Sequence, residues 1–428
     1  MFGGEASILG PAPRGMVAGS TDSTRRKRTP PILQAKMATE TPISPAPLTA
    51  LPIRVEIFED FESLGGFKGQ WNALAQAVAA SPSLSFEYAA LGWREVGSAR
   101  PDAALRVLVA LAGEDLIAVW PLYVETGSWG RMAIHLGCGG HEEYAGPIVV
   151  RDSRRREASR LLFRAARDQA DVLIVHNIAH DNPIREFLDR APLLKHRGMI
   201  RSPAVSAGLT TDWATWMAAR SKSFRSGLKY DRKRLSQLGE VRLEKIEAPD
   251  RVDRTVDWIF QIKRRSLAEH NITRSWVLHA EALRFFQEVC KASEGVNVYA
   301  LMAGDEIAAA AVTLESSNTM EYYLTAYNHD LSLYSPGNLL LEDLIALCFA
   351  RKLAFDFRIT GEFYKLRWAD SGIDYYGYHL ATTPRGAPFL LKHLQRRAVL
   401  KTKLFIKRAL KGLRGRLAAP KPSAPKAG

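Results

Sequence analysis

The order of hydrophobic and polar residues between positions 53 and 180 predicts alternating strands and helices. Apolar residues at alternate positions, or in short unbroken runs, indicate strands, whereas apolar residues three or four positions apart indicate helices. In chain order this pattern predicts the strand IRVEIFED, the helices GQWNALAQAVAA and EYAALGWREV, the strands LRVLVALA and LIAVWPLYVE, strands around AIHLG and GPIVV, the helix SRRREASRLLFRAARDQA and the strand DVLIVHNI.

The same order of elements recurs in the second half of the chain. It predicts the strand VRLEKIE, the helices DRTVDWIFQIKRRSLAE and ALRFFQEVCKAS, the strands VNVYALMA, EIAAAAVTLES and TMEYYLTAYN, a helix from YSPGNLLLE, and LAFDFRIT as the strand that closes the sheet. The segments ALAGEDLIA at 110–118 and ALMAGDEIA at 300–308 are similar in sequence, and each predicts a strand, a tight turn and a second strand. The sequence therefore predicts a duplicated α/β or α+β unit.

Composition marks the ends of the folded part. Residues 1–50 are rich in Pro, Ala, Ser and Thr and contain the basic run RRKR, so we predict that they are disordered. The two copies are predicted at 51–210 and 211–385. Residues 386–428 are predicted to form a basic amphipathic helix followed by a disordered tail.

The positive charge of the chain is concentrated at its C-terminal end. The 428 residues have a formal net charge of +14, and twelve Lys or Arg but no Asp or Glu lie from Lys392 to Gly428, which leaves +2 of the +14 for the rest. In the segment 389–417, basic and apolar residues alternate at helical spacing, which suits peripheral contact with an anionic membrane surface. Binding to RNA or to an acidic partner fits the same charge.

Several classes of protein are disfavoured. Cys138, Cys290 and Cys348 are far apart, so neither a disulfide framework nor a thiolate zinc site is indicated. The N-terminus lacks the pattern of a signal peptide and no run of about 18 apolar residues occurs, so we expect a cytoplasmic protein, peripheral to the inner membrane if the basic tail binds it. His135, Cys138 and His141 are evenly spaced in HLGCGGHEEY but lack a fourth ligand, so we expect a Gly-rich loop and no metal.

A basic helix is predicted between the two copies, in WMAARSKSFRSGLKYDRKRLSQLG, ending at Gly239. Its basic residues are either a solvated face or a binding surface for a phosphate or another anionic substrate. For the second possibility, the candidate substrate-binding residues are Lys222, Arg225 and Arg232.

The stretch YSPGNLLLE at 334–342 places a tight turn directly before a helix. The first turn of a helix offers free backbone N–H groups and the positive end of the helix dipole, which suit an anion such as a phosphate. An ordinary helix start is the commoner explanation of such a turn.

Three segments of the second half resemble a known family. SKSFR with DRKRLSQLG, LTAYNHDLSLYSPGNLLLEDLI and FDFRITGEFYKLRW resemble the CelD/BcsL-type branch of the GNAT-like acyltransferases, which is tied to cellulose and exopolysaccharide synthesis. The stretch from Trp71 to Trp93 and WPLY at 120–123 resemble the first half of that family. The resemblance runs from about Ile53 to His379.

The resemblance implies two GNAT folds in tandem, with mixed central sheets flanked by helices, as in the FemABX transferases. It implies acyl-CoA, first of all acetyl-CoA, as co-substrate, with its pyrophosphate on the loop that opens the helix of the second copy. The residues in that loop are Tyr334, Ser335, Pro336, Gly337, Asn338 and Leu339. The loop departs from most acetyl-CoA users, which have two glycines, because it has one Gly and a Pro without an N–H.

Direct acyl transfer requires a group that takes the acceptor's proton and donors that polarise the acyl carbonyl. In LAFDFRIT, alternation would place Asp356 and Arg358 on one face of a strand, close enough to meet. Asp356 is then a general base, or a group that orients the acceptor, or a carboxylate neutralised by Arg358 or Arg367.

The resemblance adds Glu362, Tyr364 and Lys365, which match the family's G-D/E-x-Y-K segment. It suggests that Lys365 stabilises the oxyanion or contacts an acceptor phosphate, and that Tyr364 protonates the leaving group, although Tyr364 could equally be a core residue. Glu143 and Tyr144 are candidate acceptor contacts.

The sequence therefore predicts an acyltransferase that acylates an amine or hydroxyl of a saccharide or related acceptor, in cellulose, exopolysaccharide or envelope biosynthesis. One alternative is a FemABX-like transferase that uses aminoacyl-tRNA, the one reading in which nucleic acid is a partner. The other is a non-catalytic accessory protein of a polysaccharide synthase.

Overall fold

The computed structural model describes residues 51–137, 144–191, 193–359 and 363–417, with the side chains of 363, 401 and 404–417 excepted. The disorder predicted for residues 1–50 and for the end of the chain concerns residues outside these ranges.

Thirteen strands within the described ranges form one mixed sheet. They are β1 (Ile53–Phe58), β2 (Ala103–Ala112), β3 (Asp115–Gly127), β4 (Gly130–His135), β5 (Ile148–Val149), β6 (Val172–Ala179), β7 (Lys195–Val205), β8 (Val241–Ile246), β9 (Val296–Ala303), β10 (Glu306–Glu315), β11 (Thr319–Tyr327), β12 (Ala354–Asp356) and β13 (Ser371–Ala381).

Helices pack on both faces of this sheet. They are α1 (Lys68–Ala77), α2 (Phe86–Gly92), α3 (Arg155–Asp168), α4 (Arg185–Arg190), α5 (Trp213–Ala218), α6 (Lys222–Leu235), α7 (Pro249–Glu269), α8 (Ala280–Ala292), α9 (Pro336–Arg351), α10 (Phe363–Trp368) and α11 (Ala387–Leu417). No helix in the part of the chain that the structure describes is both long enough and apolar enough to cross a membrane.

The strand order shows the repeat that the sequence predicts. Neighbours run β1-β2-β3-β4-β6-β13-β7-β12-β11-β10-β9-β8, and β5 pairs with β3. All the pairs are antiparallel except β4 with β6 and β11 with β12. In each half a run of antiparallel strands therefore ends beside a parallel strand that the chain reaches through one helix, α3 or α9. The prediction of an α/β fold with a mixed sheet and two tandem units is confirmed.

The two halves exchange their last strands. β7, from the first half, pairs with β12 of the second, and β13, from the second half, pairs with β6 of the first. β7 and β13 also pair with each other, from Ser371 opposite Ala204 to Leu380 opposite Lys195. The sequence pattern missed both strands and assigned the closing position to LAFDFRIT. A domain boundary is predicted at position 210, and the strands before and after this position belong to one continuous sheet.

Each half buries apolar side chains on both faces of the sheet. In the first half, α3 covers one face with Leu162 and Phe163, and α1 and α2 cover the other. In the second half, α9 is buried against one face with α5 and α6 outside it, and α7 and α8 cover the other face. A buried helix such as α9 needs apolar residues around most of its circumference, which the run LLLEDLIALCF supplies.

Candidate active site

The candidate site lies where β11 and β12 separate. The two strands pair in parallel only from Thr319 opposite Ala354 to Glu321 opposite Asp356. β12 ends at Asp356, whereas β11 continues to Tyr327. The last six residues of β11 therefore have no strand partner on that side among the described residues, and the last pair places two carboxylates at the point of separation.

Asp356 is buried and accepts hydrogen bonds from four donors. Its Oδ1 accepts from Ser202 Oγ at 2.6 Å and from the backbone N–H of Arg358 at 2.8 Å. Its Oδ2 accepts from the phenols of Tyr144 at 2.6 Å and Tyr375 at 3.1 Å. A buried carboxylate requires such donors because it has lost its hydration. The charge is therefore held in place by three side chains and one backbone group.

The two phenols that bind Asp356 form a stacked pair. The ring centroids of Tyr144 and Tyr375 are 4.0 Å apart and the rings are inclined by 12°. Burial and then the negative charge of Asp356 raise the pKa of both phenols above the usual value. Both hydroxyls therefore keep their protons at neutral pH and remain donors.

Glu321 and Arg358 form a second buried charged group beside Asp356. Arg358 Nη1 lies 2.7 Å from Glu321 Oε2, and the two side chains are only 3% and 6% exposed. Burial raises the pKa of Glu321 to about 7, an effect that the charge of Arg358 opposes and that of Asp356 reinforces. This carboxyl therefore changes its protonation near neutral pH, which is the property required of a general base.

Aromatic rings enclose the guanidinium of Arg358. Its central carbon lies 4.3 Å from the ring centroid of Tyr144 and 4.1 Å from that of Tyr323. Burial by itself lowers the pKa of Arg358, but the opposing effects of Glu321 and the surrounding phenols are larger together. The net pKa is therefore raised, and the guanidinium stays charged. Arg358 itself has a φ of +58°, a left-handed conformation that is unusual for a residue with a side chain.

Both halves of the chain contribute to the site. Tyr144 and Ser202 come from the first half, and the hydroxyl of Tyr88 on α2 lies 3.2 Å from that of Tyr323 on β11. The exchange of β7 and β13 brings Ser202 and Tyr375 next to β12. Sequence reasoning named Asp356, Arg358 and Tyr144 but missed Glu321, Ser202 and the other tyrosines, although a Glu within the otherwise uncharged strand TMEYYLTAY is a signal for Glu321.

The predicted pairing of Asp356 with Arg358 is wrong for the side chains. β12 ends at Asp356, so the alternation does not extend to Arg358, whose left-handed backbone turns its side chain toward Glu321. Only the backbone N–H of Arg358 bonds to Asp356. The two residues do lie side by side, because the chain turns immediately after the strand.

The predicted residues that follow this turn lie on or near α10. Lys365 is buried and its Nζ donates to the backbone oxygen of Phe357 at 2.9 Å, which supports the turn that carries Arg358. Tyr364 is half-buried and packs against the α9 side of the core. Glu362 and Glu143 lie outside the described residues, as do Cys138 and His141.

The start of α9 has the turn that the sequence predicts. Ser335 has a φ of +51°, and α9 begins at Pro336. The N–H groups of Asn338 and Leu339 both lie within hydrogen-bond distance of Ser335 O, at 2.9 and 3.3 Å.

Gly337, in the first turn of α9, lies against the far end of β11. A Cβ at Gly337 would lie 3.6 Å from the ring of Tyr327, at the far end of β11. Tyr327 is six residues from Glu321, or about 20 Å along an extended strand. The start of α9 and the buried charges therefore lie at opposite ends of the unpaired edge of β11.

The basic helix is confirmed as α6, and it packs against α9 and α10. Arg232 pairs with Glu342 at 2.9 Å and Asp343 at 2.5 Å, so its charge is used within the protein. Arg225 is half-buried and Lys222 is exposed, in the first turns of α6.

A residue that the sequence did not single out for the site, Arg234, reaches the start of α9. It donates to Leu333 O at 3.1 Å, and its guanidinium carbon lies 5.0 Å from the ring centroid of Tyr334. A positive charge therefore accompanies the helix start.

An open cleft of about 510 Å³ lies in the first half, at the start of α3. Three arginines and three acidic residues line it, with ion pairs such as Arg156 with Glu186 at 2.9 Å and Arg185 with Asp189 at 3.3 Å. Because these charges neutralise one another, the cleft has less to offer an anion than the start of α9.

Part of the second half matches a known family of protein domains. Residues 222–366 match the family described as acetyltransferase (GNAT) domain, and this segment contains α6, the start of α9, Glu321, Asp356 and Lys365. Residues 222–366 are thus similar to GNAT acetyltransferase domains. No curated protein matches the chain.

Several solved structures are similar to this chain at low sequence identity. FemX is 9% identical, with a TM-score of 0.51 over 75% of this chain and 97% of FemX. The C-terminal domain of a putative lysylphosphatidylglycerol synthetase from Agrobacterium fabrum is 14% identical, with a TM-score of 0.49 over 76% of this chain and 95% of that one. A tandem GNAT protein from the clavulanic acid biosynthesis pathway is 12% identical, with a TM-score of 0.39 over 77% and 99% of the two chains. The likeness to FemX concerns the fold alone.

We expect Ser202→Ala to lower the free energy of unfolding by about 1–3 kcal/mol, because Asp356 would lose one of its donors while remaining buried. Urea unfolding followed by circular dichroism measures the change. The matched control is Ser332→Ala at an exposed position, for which we expect a change within about 0.5 kcal/mol. Equal effects of the two substitutions would contradict a role for Ser202 in holding Asp356.

Proposed function

We propose that the protein transfers an acyl group, acetyl being the first candidate, from acyl-CoA to an amine or hydroxyl of a saccharide or related acceptor. The GNAT domain at 222–366 supports the class of reaction. The observation that carries the proposal is Glu321, a buried carboxyl with a pKa of about 7 at the point where β11 and β12 separate. The resemblance of the motifs to the CelD/BcsL-type branch supports a place in cellulose, exopolysaccharide or envelope polysaccharide synthesis.

The residues at the start of α9 suit the phosphates of acyl-CoA. The Gly337 N–H, the positive end of the α9 dipole and the guanidinium of Arg234 are all favourable to an anion. The unpaired edge of β11 offers backbone N–H and C=O groups to a ligand that carries amides, as the pantetheine arm does. Bound there, acyl-CoA would supply the activated thioester.

Glu321 is the proposed general base. As the carboxylate, it accepts the proton of the acceptor's N–H or O–H while the acceptor atom bonds to the acyl carbon and the bond from that carbon to sulfur breaks. The thiolate that leaves takes up one proton, so protons balance over the reaction. Arg358 holds Glu321 in place and lowers the energy of its charged form.

Asp356 is a positioning residue in this proposal. Its hydrogen bonds orient Tyr144, Tyr375 and the backbone of Arg358. The roles predicted for Lys365 in oxyanion stabilisation, for Tyr364 in protonating the leaving group, and for Lys222 and Arg225 in acceptor binding stay predictions.

We expect Gly337→Asp to weaken acetyl-CoA binding at least about tenfold in calorimetry, because it places a negative charge beside the bound phosphates. Gly337→Ala is the matched control. Its methyl group would make an ordinary contact with Tyr327 and adds no charge, so we expect binding within about threefold of the parent.

If the parent and Gly337→Asp bind acetyl-CoA equally well, its phosphates do not lie at the start of α9. If the parent binds neither acetyl-CoA nor longer acyl-CoAs, acyl-CoA is not the donor, and aminoacyl-tRNA becomes the donor to test.

We expect kcat/KM of the parent to rise with pH through about 7 and then to level off. Glu321 is active as the carboxylate, so activity grows as the carboxyl loses its proton. Glu321→Gln should lower kcat/KM by about 10²–10⁴-fold. The rate is measured as release of the CoA thiol with an acceptor that the parent acylates.

Glu315→Gln is the control for this series. Glu315 is also largely buried and pairs with an arginine, Arg351, at 2.9 Å, but it is opposite Met320 and so lies on the other face of the sheet from Glu321. It should retain the parental pH profile. A Glu321→Gln enzyme with the rate and pH profile of the parent would remove Glu321 from the mechanism.

The exposed part of α11 is the proposed contact with an anionic membrane. Leu390 is buried against the protein, whereas Leu391 and Leu400 are 58% and 51% exposed. Arg396 and Lys403 are also exposed. An exposed helix with apolar and basic side chains suits the boundary between lipid headgroups and acyl chains.

We expect the double substitution Arg396→Glu and Lys403→Glu to weaken binding to phosphatidylserine-containing vesicles at least about tenfold, since each basic residue contributes about 1 kcal/mol. Vesicle co-sedimentation measures the binding. Lys229→Glu with Lys233→Glu changes the net charge equally on α6 and should have a smaller effect. Equal losses for the two pairs would mean that net charge, rather than α11, decides binding.

A further inference from the structure

A group of histidines lies on the sheet away from the candidate active site. His196 on β7 is directly opposite His379 on β13 in the antiparallel pairing, so the two side chains lie on one face. His393, near the start of α11, lies over them. His176 on β6 contacts the group from the side, with its ring centroid 5.4 Å from that of His379.

The ring nitrogens of three of these residues converge. One nitrogen from each of His196, His379 and His393 lies within 4.8 Å of the others, and all three side chains are half-buried. The ring centroids of His379 and His393 are 4.1 Å apart, those of His196 and His393 5.2 Å, and those of His196 and His379 5.9 Å. These residues are far apart in sequence, and only the pairing of β7 with β13 and the docking of α11 bring them together.

From this geometry we infer that His196, His379 and His393 bind a divalent transition-metal ion, with Zn²⁺ as the first candidate. Imidazole nitrogens are the ligands that Zn²⁺, Cu²⁺ and Ni²⁺ share. Zn–N distances of about 2.0–2.1 Å in a tetrahedral site require nitrogens about 3.3 Å apart. The observed spacing of up to 4.8 Å is wider than this, so binding would require the three rings to rotate toward the ion.

Two features of the lining bear on metal binding by this group. His379 Nδ1 is buried and has no hydrogen-bond partner among the described residues. The group contains no carboxylate, so water would complete a four-coordinate site.

Metal binding here would fasten α11 to the sheet. The first turns of α11 are held by Leu390, which is fully buried, and by Phe389, which packs against a small cluster of Met132, Val172 and Ile174. Beyond His393 the helix becomes exposed. A metal shared by β7, β13 and α11 would therefore fix the base of the basic helix, independently of acyl transfer.

The test uses the full chain without a polyhistidine tag, treated with EDTA and then dialysed. Competition with a chromogenic chelator measures the stoichiometry and affinity of Zn²⁺. We expect one equivalent per chain, and at least a tenfold loss of affinity in His393→Gln and in His379→Gln. His279→Gln, at an exposed histidine outside the group, is the matched control and should bind as the parent does.

A second measurement locates the ion. We expect Zn²⁺ to slow amide hydrogen exchange in residues 387–397 of the parent and of His279→Gln, but not of His393→Gln. His393 is on a half-exposed helical face, and circular dichroism without metal checks that its variant is folded. Equal Zn²⁺ affinity in the parent, His393→Gln and His279→Gln would overturn the inference, as would Zn²⁺ binding that leaves the exchange of 387–397 unchanged.

Discussion

The pairing of β7 with β13 is the constraint on which the rest of the structure depends. Each strand ends one half of the chain and completes the sheet of the other, so neither half can form its full sheet alone. Ser202 and Tyr375 reach Asp356 because these two strands lie between β6 and β12. The same pairing sets His196 opposite His379. The candidate active site and the histidine group are therefore two consequences of one exchange of strands.

Burial of charge is the second constraint, and it explains why the site needs so many residues. Asp356, Glu321 and Arg358 are all nearly inaccessible to water, and a buried charge is tolerated only when it is paired and hydrogen-bonded. Four donors satisfy Asp356, and Glu321 and Arg358 satisfy each other between aromatic rings. The balance is uneven, because burial leaves Glu321 ready to take up a proton near neutral pH while the arginine remains charged. A carboxyl with a pKa of about 7 can act as a general base near neutral pH.

Most of the fold could be predicted from the sequence, because the elements that it covers have strong local patterns. The runs LRVLVALA and EIAAAAVTLES are mostly apolar, as buried strands require, and the predicted turn before α9 is present at Ser335. The two exchanged strands could not be recognised, because KHRGMIRSPAV and SGIDYYGYHLA mix glycine and charged residues with apolar ones. Their partners are remote in sequence, and pairing rather than local pattern makes them strands.

Only part of the candidate site could be predicted from the sequence, because most of its contacts join residues that are far apart in the chain. Asp356 and Tyr144 were found, but the partner of Arg358 was not, since it depends on a left-handed backbone at Arg358 that no alternation rule anticipates. Two of the four partners of Asp356, Ser202 and Tyr144, lie 154 and 212 residues away in sequence. Contacts of that kind follow from topology, which the histidine group illustrates equally well.

A crystal structure with a non-hydrolysable thioether analogue of acetyl-CoA tests most directly whether acyl-CoA binds between the start of α9 and Glu321. We predict that the pyrophosphate lies beside Gly337 and Arg234. The pantetheine arm should follow the unpaired edge of β11, so that the acyl end approaches Glu321. An analogue bound at the start of α3 instead, or no analogue along β11 at saturating concentration, would contradict it.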